Sequence, residues 1–435
     1  MSVKSKSELV HGVLLLYHDR LSPDASTVLE HVRSFKLSQF HVSTVNTFWG
    51  FPKALASLRF DVLVLHYSLF GVANYCLDDQ FLDYLDRSAS SYKIAFFQDE
   101  YQFCQQRFAF IDRYKIESVY TLLEPRYFKD VYLKYTNVSQ VTNNIPGYVS
   151  DNLIAVSGRM FLPDEKRSID IGYRGRKLPH YMGRGAREKY DIAIAFTEHA
   201  KDLGFKLDIQ AHEHGRLYGS HWQKFMANCR ATLGVEAGVS IYDLDYEAYS
   251  TYCRAVLGED AEPPGPKWYS QFVRLAAKEE AIDAGELADK LLAKWENNIP
   301  YRTISPRHFE AAAFRTCQIL FEGNYSGIMQ PFKHYIPLKK DFSNFDEVIS
   351  IFKNKRERQE ITENAYSDLI ASKQYSYKVF IAKVDAELIK RGLRPQLSRT
   401  QRLRIDVALY QEELHRRTRW KLSQAKSKFR ARKNC

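Results

Sequence analysis

Three polar side chains follow short apolar runs near the start of the chain, and their types suit proton transfer. His18 and Asp19 come directly after Val13–Tyr17, and Asp99 follows Lys93–Phe97. Both runs are predicted parallel strands, and parallel sheets bind ligands beyond the carboxyl ends of their strands. A carboxylate or imidazole there can take the proton of an attacking hydroxyl group. Asp99 is the first candidate for such a general base, ahead of His18 and Asp19. The alternative for each of the three is a structural role, as a hydrogen-bonded polar group of a loop or as a helix cap.

A second chemical signal lies in the stretch TISPRHFEAAAFRTCQILFEGNYSG, which begins at Thr303. Pro306 suits the first turn of a helix, and Glu310 then lies near the start of that helix. The apolar run Cys317–Phe321 is a predicted strand, and a glycine-containing loop, residues 322–327, follows it. Backbone N–H groups of such a loop, beside a helix amino terminus, can cradle a diphosphate.

The same stretch resembles the donor-binding signature of the GT-B glycosyltransferases. The resemblance rests on PRHFEAAA, residues 306–313, followed by the strand and by DFSN, residues 341–344. It is closest to the bacterial group of CgeB-like and surface-polysaccharide enzymes, and it extends over most of the chain through the stretches HDRLSPDASTVLEHV, AFFQDEY and LGVEAGVSIYD. It implies an α/β fold in which two Rossmann-like domains face a central cleft.

The resemblance also implies roles for single residues. Glu310 would hold the ribose of a nucleotide-sugar donor through its hydroxyl groups, and Arg307 would meet the diphosphate. Ser326 and Gly327, with Tyr325 in the same loop, would present backbone donors to the diphosphate. The alternative is that Arg307 and Glu310 form a structural ion pair that caps the helix.

Two positions depart from the pattern of many retaining GT-B enzymes. Arg302 stands eight positions before Glu310, where those enzymes carry a second glutamate, and residues 324–327 replace their Gly-Gly pair. The departures leave the stereochemical outcome open between retention and inversion. They also keep open an alternative in which the chain is a non-catalytic module that binds a nucleotide or a glycan, tethered to a membrane or an assembly complex.

Two further residues are candidate donor contacts because they follow predicted strands in the second half of the chain. Arg174 lies in the run GYRGR, where an arginine can contact a phosphate or can be a solvated loop charge. Glu236 lies in a glycine-containing turn, where a carboxylate can bind sugar hydroxyls or can cap a helix.

No metal site is predicted. His212 and His214 lack a third ligand nearby, and Asp243-Leu244-Asp245 matches a metal-binding pattern that is common by chance. We expect no cofactor, because the nucleotide sugar would be a co-substrate. Arginine, lysine and a helix dipole would neutralise its diphosphate.

Apolar runs and amphipathic stretches alternate along the chain, which predicts parallel sheets covered by helices on both faces. The 435 residues are enough for two domains. We place an acceptor domain at residues 1–150, a linker at 151–168, a nucleotide-sugar-binding domain at 169–392 and a basic helical tail at 393–435.

Composition bears on the cell compartment. The six cysteines are scattered without a Cys-x-x-Cys pair, which favours a reducing compartment over a disulfide framework. No apolar run approaches the ~18 residues of a membrane span. The sequence therefore predicts a cytoplasmic protein.

The net charge of +11 is concentrated in the tail, since residues 401–435 hold 11 Lys and Arg against 3 Asp and Glu. Apolar residues from Leu403 to Phe429 recur there near helical spacing. A basic amphipathic helix suits an anionic membrane surface, so we expect peripheral binding to the inner face of the cell membrane. A solvated tail or an interaction helix is the alternative. Nucleic acid is not an expected partner, because no recognised reader fold accompanies the tail.

These features together predict a metal-independent enzyme that moves a sugar from a nucleotide sugar to a glycan or lipid-linked acceptor. The acceptor would be a precursor of lipopolysaccharide, capsule or a related cell-surface glycan. A nucleotide-sugar epimerase is a weaker alternative, because it would act on free nucleotide sugar and need no membrane tail.

Overall fold

The protein is described by a computed structural model that covers residues 8–19, 26–71, 74–282, 284–394 and 399–433. The first half of the chain forms a parallel sheet in the order β2-β1-β3-β4-β5-β6. Its strands are β1 Glu8–Tyr17, β2 Val42–Asn46, β3 Leu58–Leu65, β4 Tyr92–Phe96, β5 Ser118–Thr121 and β6 Gln140–Asn143. The helices of this half are α1 Ser26–Ser34, α2 Asp79–Arg87, α3 Cys104–Arg113 and α4 Phe128–Tyr135.

The second half forms another parallel sheet, in the order β13-β12-β9-β7-β8, and a separate two-stranded ribbon of β10 and β11. Its strands are β7 Ile169–Arg174, β8 Leu207–Gln210, β9 Cys229–Gly234, β10 Ala237–Val239, β11 Tyr301–Thr303, β12 Cys317–Phe321 and β13 Ile336–Leu338. Its helices up to β13 are α5 Asp151–Arg159, α6 Arg184–Ala200, α7 Gly219–Asn228, α8 Glu247–Leu257, α9 Pro266–Ala281, α10 Ala284–Leu291 and α11 Pro306–Ala313. Four helices close the chain: α12 Phe345–Lys353, α13 Lys355–Tyr366, α14 Tyr377–Lys390 and α15 Arg399–Lys433.

The two predicted parallel sheets are therefore confirmed. Their central strands are apolar on both faces: Leu14, Leu15 and Leu16 of β1 are all fully buried. Such continuous apolar runs are typical of parallel sheets that carry helices on both sides.

The short ribbon of β10 and β11 was not predicted from the sequence. The two strands run antiparallel, with Gly238 opposite Arg302. Gly238 has φ of 97°, and a Cβ atom there would lie 1.8 Å from the carbonyl oxygen of Tyr301. Only glycine tolerates both conditions, so this residue allows the two backbones to approach.

Helices α8 to α10 are inserted between β10 and β11 and pack on the first half of the molecule. Tyr242, Tyr249 and Trp268 from this insertion share one buried cluster with Leu14 and Phe97. The same cluster contains Val239 and Tyr301, so the insertion and the β10–β11 ribbon of the second half pack on the first sheet.

Helix α14 also packs on the first sheet, although residues 169–392 were assigned to the second domain from the sequence. Phe380 and Ile381 lie in a buried cluster with Leu15 and Phe96. Amphipathic periodicity shows that a helix has a buried face, but it does not show which sheet that face covers.

The last helix, α15, docks on the first sheet with its amino-terminal half. Ile405 and Leu409 are 5% exposed and belong to the first core cluster. Arg416 donates a hydrogen bond of 2.7 Å to the carbonyl oxygen of Trp49. Within the described ranges, no helix is both long and apolar enough to cross a bilayer.

Candidate active site

A cavity of about 380 Å³ opens between the carboxyl ends of the two sheets. The first sheet contributes Gln98 and Asp99, which follow β4, and Leu122, which follows β5. The second half contributes residues from the ends of β7 and β9, from α7, and from the start of α11. This is the edge at which parallel sheets bind ligands.

Four basic side chains line the cavity, namely Arg176, Lys189, Arg216 and Arg307. Within the described part of the chain, Arg176 and Lys189 form no ion pair, so their charges are available to a ligand. Burial lowers the pKa of Lys189 to about 8, against the opposing effect of the Asp99 carboxylate. The cavity therefore has the charge expected of an anion-binding site.

Asp99 is the carboxylate that faces these cations. Its side chain is exposed to the cleft, yet its deep position among protein atoms raises its pKa, while Lys189 and Arg176 act in the opposite direction. Its φ of 55° is left-handed, which is uncommon for a residue other than glycine and is often found at functional sites.

The neighbouring Glu100 holds this turn in place. Its buried carboxylate accepts hydrogen bonds from the Leu122 N–H at 3.1 Å and the Tyr301 hydroxyl at 3.1 Å. The hydroxyls of Thr121 and Tyr132 donate to the same carboxylate. Because Tyr301 belongs to the second half of the chain, Glu100 also ties the two halves together beside Asp99.

His18 and Asp19 lie at the same strand edge as Asp99 but outside the cavity lining formed by the described residues. The His18 N–H donates to the Ser68 hydroxyl at 2.9 Å, and its Nδ1 lies 2.9 Å from the Thr47 hydroxyl. Asp19 acts electrostatically on Tyr17 and Glu413, on the side occupied by α15. The structure thus brings Asp99 to the cleft and places the other two candidates towards the last helix.

Arg307 and Glu310 lie on α11, whose first turn is capped by Ser305. Glu310 accepts a hydrogen bond of 2.8 Å from Trp222 Nε1, and burial raises the pKa of its carboxyl group. The Arg307 guanidinium lies 4.9 Å from the centre of the Trp222 ring and donates to the carbonyl oxygen of Arg174. Arg307 and Glu310 do not form an ion pair with each other among the described residues, so they meet through the indole instead.

In the loop after β12, most of the hydrogen-bond donors that were assigned to a ligand from the sequence donate to protein groups instead. The Tyr325 N–H donates to the Glu236 carboxylate at 2.8 Å, and its hydroxyl donates to the Phe321 carbonyl at 2.5 Å. The Ser326 hydroxyl accepts from the Ile304 N–H at 3.1 Å. This loop therefore supports the cavity wall, and Glu236 binds the loop.

Gly327 follows with φ of 69°, and no atom lies within 4 Å of the position that a Cβ would take. Its N–H donates to the Asn324 carbonyl at 2.8 Å. Glycine is therefore used here for its backbone conformation.

No protein-family profile matches the chain, and no curated protein matches it in sequence. Its structure superposes on a solved α-glucosyltransferase in complex with UDP-glucose and DNA, with a TM-score of 0.50 and 12% identity over 87% of this chain and 99% of that one. The chain has the fold of the GT-B glycosyltransferases. The Anabaena protein HepE in complex with UDP-glucose is also similar, with a TM-score of 0.42 and 9% identity over 88% of this chain and 100% of that one.

Arg174, at the end of β7, is directed away from the GT-B cleft. Its guanidinium donates to the Asp208 carboxylate at 2.9 Å and lies 4.1 Å from the centre of the Phe225 ring. Arg176, two residues later, lines the cleft. Of the two arginines in this run, Arg176 can therefore contact a ligand in the cleft, whereas Arg174 packs against Phe225 and pairs with Asp208.

Arg174→Ala is accordingly expected to lower the thermal unfolding midpoint without weakening nucleotide binding. The change leaves the half-buried Asp208 carboxylate without its cation and removes the packing on Phe225, which together cost about 1–3 kcal/mol. Differential scanning fluorimetry with and without UDP measures both quantities. A variant of wild-type stability that no longer responds to UDP would show instead that Arg174 contacts the ligand.

Lys189, Arg216 and Trp222 are cleft residues that were not identified from the sequence. Lys189 lies on α6, whose apolar positions Ile192 and Phe196 predict only the buried face. In the sequence, a lysine between such positions cannot be distinguished from a solvent-exposed lysine. Lys189 lies in the cleft because of how the two halves of the GT-B fold are arranged, which the sequence pattern does not show.

The candidate metal-binding patterns have other partners in the structure. His212 and His214 are exposed, with ring centres 5.6 Å apart. The Asp243 carboxylate accepts hydrogen bonds from the Ala248 N–H at 3.1 Å and the Tyr249 N–H at 3.0 Å, so it caps α8. In the described ranges, no group of His, Cys, Asp or Glu has the arrangement of a metal site.

Proposed function

We propose that this protein transfers a sugar from a nucleoside-diphosphate sugar to an acceptor hydroxyl group in the cleft. The observation that supports the proposal most directly is the group of cations around Asp99, at the carboxyl ends of two Rossmann-like sheets. The solved α-glucosyltransferase on which the chain superposes holds UDP-glucose, which makes a uridine nucleotide the first donor to test.

In this proposal the second half of the chain binds the donor. Arg176, Lys189 and Arg307 lie where they would neutralise a diphosphate, which removes the need for a metal ion in the charge balance. Glu310 lies outside the cavity lining but contacts Trp222, which is part of it. It would bind the ribose there, because its carboxylate is held by a single N–H from Trp222 and retains acceptor capacity.

Asp99 would be the general base. The acceptor O–H proton would pass to its carboxylate while the acceptor oxygen bonds to the anomeric carbon of the donor sugar. The bond between that carbon and the phosphate oxygen would break, and its electron pair would leave on the diphosphate. The cleft cations would stabilise the charge that develops there.

For the acceptor we propose a glycan or lipid-linked precursor of the cell surface, and for the location the inner face of the cell membrane. The support is the resemblance to CgeB-like and surface-polysaccharide enzymes in residues 306–313 and 341–344. The DNA in the solved α-glucosyltransferase complex belongs to that protein. A nucleotide-binding module without activity is the second candidate, and hydrolysis of the donor in the presence of the protein would contradict it.

Thermal stabilisation by nucleoside diphosphates and nucleotide sugars tests the donor site. Wild-type protein is expected to unfold at a higher temperature with its nucleotide, because a ligand at 100 times its Kd stabilises the native state by about 2.7 kcal/mol. Glu310→Ala is expected to lose most of this stabilisation.

The matched control is Glu198→Ala, which removes an exposed glutamate on α6 far from the cleft. It should respond to the nucleotide like the wild type. If no nucleotide stabilises the wild-type protein, the proposal is wrong. If Glu310→Ala responds as strongly as Glu198→Ala, the ribose role of Glu310 is wrong.

A further inference from the structure

His308 lines the cleft, and the chemistry proposed above does not use it. It lies on α11 and is 4% exposed. The residues around its ring, Gly234, Val235 and Gln318, line the same cavity. Gly234 leaves room for the imidazole, because a Cβ atom at that position would lie 3.1 Å from His308 Cε1. The ring is therefore held beside the cavity by the end of β9.

Three contacts bear on which ring nitrogen carries the hydrogen. Gln318 Nε2 donates to the carbonyl oxygen of His308 at 3.2 Å, which directs Gln318 Oε1 towards the ring. This oxygen lies 2.9 Å from His308 Nδ1, so Nδ1 is the donor to it. His308 Nε2 lies 3.3 Å from the carbonyl oxygen of Val235.

The imidazole is neutral, so it has one N–H for two neighbouring acceptors. Burial lowers the pKa of His308 to about 4, and Arg307 acts in the same direction. With the hydrogen on Nδ1, the lone pair of Nε2 faces a second acceptor, the Val235 carbonyl oxygen. Turning the Gln318 amide over would only move the conflict, because its oxygen would then lie 3.2 Å from the His308 carbonyl oxygen. Two buried acceptors thus meet at the cavity lining, and such a pair is costly without a hydrogen-bond donor.

We propose that His308 Nε2 and the Val235 carbonyl oxygen bind a hydroxyl group of the donor sugar, so that His308 contributes to the choice of sugar. A hydroxyl group supplies the hydrogen that the two acceptors lack. A sugar that presents no hydroxyl at this point is bound less well, because the buried acceptors are then left unpaired. The inference rests on the proposed function, since it concerns the sugar end of the same donor.

The position of His308 on α11 favours the sugar over the nucleoside as its partner. Residues two apart in a helix lie about 200° apart around its axis, so His308 and Glu310 are on opposite sides of α11. Glu310 contacts Trp222 outside the cavity lining, where the proposed function places the ribose. His308 shares the cavity with Asp99, and the reacting sugar must lie between the diphosphate and that base.

The affinities of UDP and of UDP-sugars, measured by isothermal titration calorimetry, test the inference. The probes are UDP-glucose, UDP-galactose and UDP-N-acetylglucosamine, and the wild type is expected to bind at least one of them more tightly than UDP. His308→Asn is expected to weaken the binding of that UDP-sugar by about ten-fold, and of UDP by less than about two-fold. The asparagine amide can replace Nδ1 as the donor to Gln318, but it has no atom at the place of Nε2.

His308→Gln is the conservative variant that should restore binding. A glutamine amide can place its oxygen near the position of Nε2, so the affinity for the UDP-sugar should stay within about three-fold of the wild type. His199→Asn is the matched control, because it makes the same change at an exposed histidine in the last turn of α6. It should bind all four ligands like the wild type.

Gln318→Met tests the same contact without altering the histidine. Methionine has no oxygen to accept from Nδ1, so the hydrogen can move to Nε2 and donate to the Val235 carbonyl oxygen. The affinity for the UDP-sugar should then fall as in His308→Asn, although the imidazole is still present. The affinity for UDP should be unchanged, which also shows that the variant is folded.

Three results would each overturn the inference. One is an equal loss of UDP and UDP-sugar affinity in His308→Asn, which would assign Nε2 to the nucleoside or to the packing of the cleft. Another is a His308→Asn variant that binds the UDP-sugar like His199→Asn. The third is a wild-type protein that binds UDP but none of the three UDP-sugars more tightly. A wild-type protein that binds neither UDP nor a UDP-sugar is a separate result, because it contradicts the proposed uridine donor itself.

Discussion

Asp99→Asn is expected to lower the rate constant for sugar transfer by about 10²–10⁴-fold, the usual contribution of a general base. The substitution keeps the shape of the side chain and removes its ability to take the acceptor proton. Donor binding should not weaken, because Asp99 is the negative charge among the cations that line the cleft. Initial rates with saturating donor measure the effect, and UDP affinity is measured in parallel.

The pH dependence of transfer gives this prediction a second measurement. The deep position of Asp99 among protein atoms raises its pKa, and a base is active only when ionised. The value of kcat/KM for the wild type should therefore fall as pH decreases through a pKa above the ordinary value for aspartate. Asp99→Asn should lack this limb of the profile.

Asp86→Asn is the control, because Asp86 is a surface carboxylate paired with Arg113. It should leave both the rate and the profile unchanged. A rate for Asp99→Asn within a few-fold of this control would remove Asp99 from the mechanism. His18 and Asp19 would then become the candidates to test.

Lys189→Met is expected to weaken the binding of UDP by about 10–100-fold, because one charge-assisted hydrogen bond contributes about 1.5–3 kcal/mol. Methionine retains the apolar stem that packs along α6. Adding Arg176→Ala should weaken binding further, since both cations line the same cavity. Isothermal titration calorimetry measures the affinities.

The pKa of about 8 for Lys189 predicts how this affinity depends on pH. The protonated amine binds the diphosphate, so the affinity of the wild type should be retained below pH 8 and decline as pH rises above it. In Lys189→Met the decline should be absent.

Lys201→Met is the matched control, because Lys201 follows the far end of α6 and is 58% exposed. It should bind UDP like the wild type. Uridine without phosphates should bind Lys189→Met and the wild type equally. Equal loss of UDP and uridine affinity would show that the variant disturbs the cleft as a whole.

Much of the fold could be predicted from the sequence because the central strands are buried on both faces. Runs such as Val62–Leu65 are apolar without interruption, and they identify parallel strands directly. The three-residue strands of the β10–β11 ribbon gave no comparable signal, since they are too short to show a period. The sequence also did not show which sheet α14 covers, because that depends on contacts between distant parts of the chain.

The site was predicted less well than the fold, and Arg174 shows why. Successive side chains of a strand point to opposite faces, so an error of one residue in the end of a strand reverses the direction assigned to a side chain. Arg174 is the last residue of β7 and points to Phe225, whereas Arg176 lies in the loop and faces the cleft. Asp99 lies in the cleft as expected from the sequence, because a residue that follows a parallel strand lies at the ligand edge whichever face the side chains of that strand point to.

The buried cluster of the first sheet has a consequence for how the chain folds. It contains Leu14 from the first strand and Tyr301 and Leu409 from much later in the chain. A nascent chain that has been synthesised as far as residue 143 has all six strands of this sheet and helices α1 to α4, but it lacks α8 to α10, α14 and α15, which also pack on the sheet. Its core is completed only after more than 250 further residues have been made. The apolar surface that the late helices cover is therefore exposed during synthesis, and we expect chaperones to bind it there.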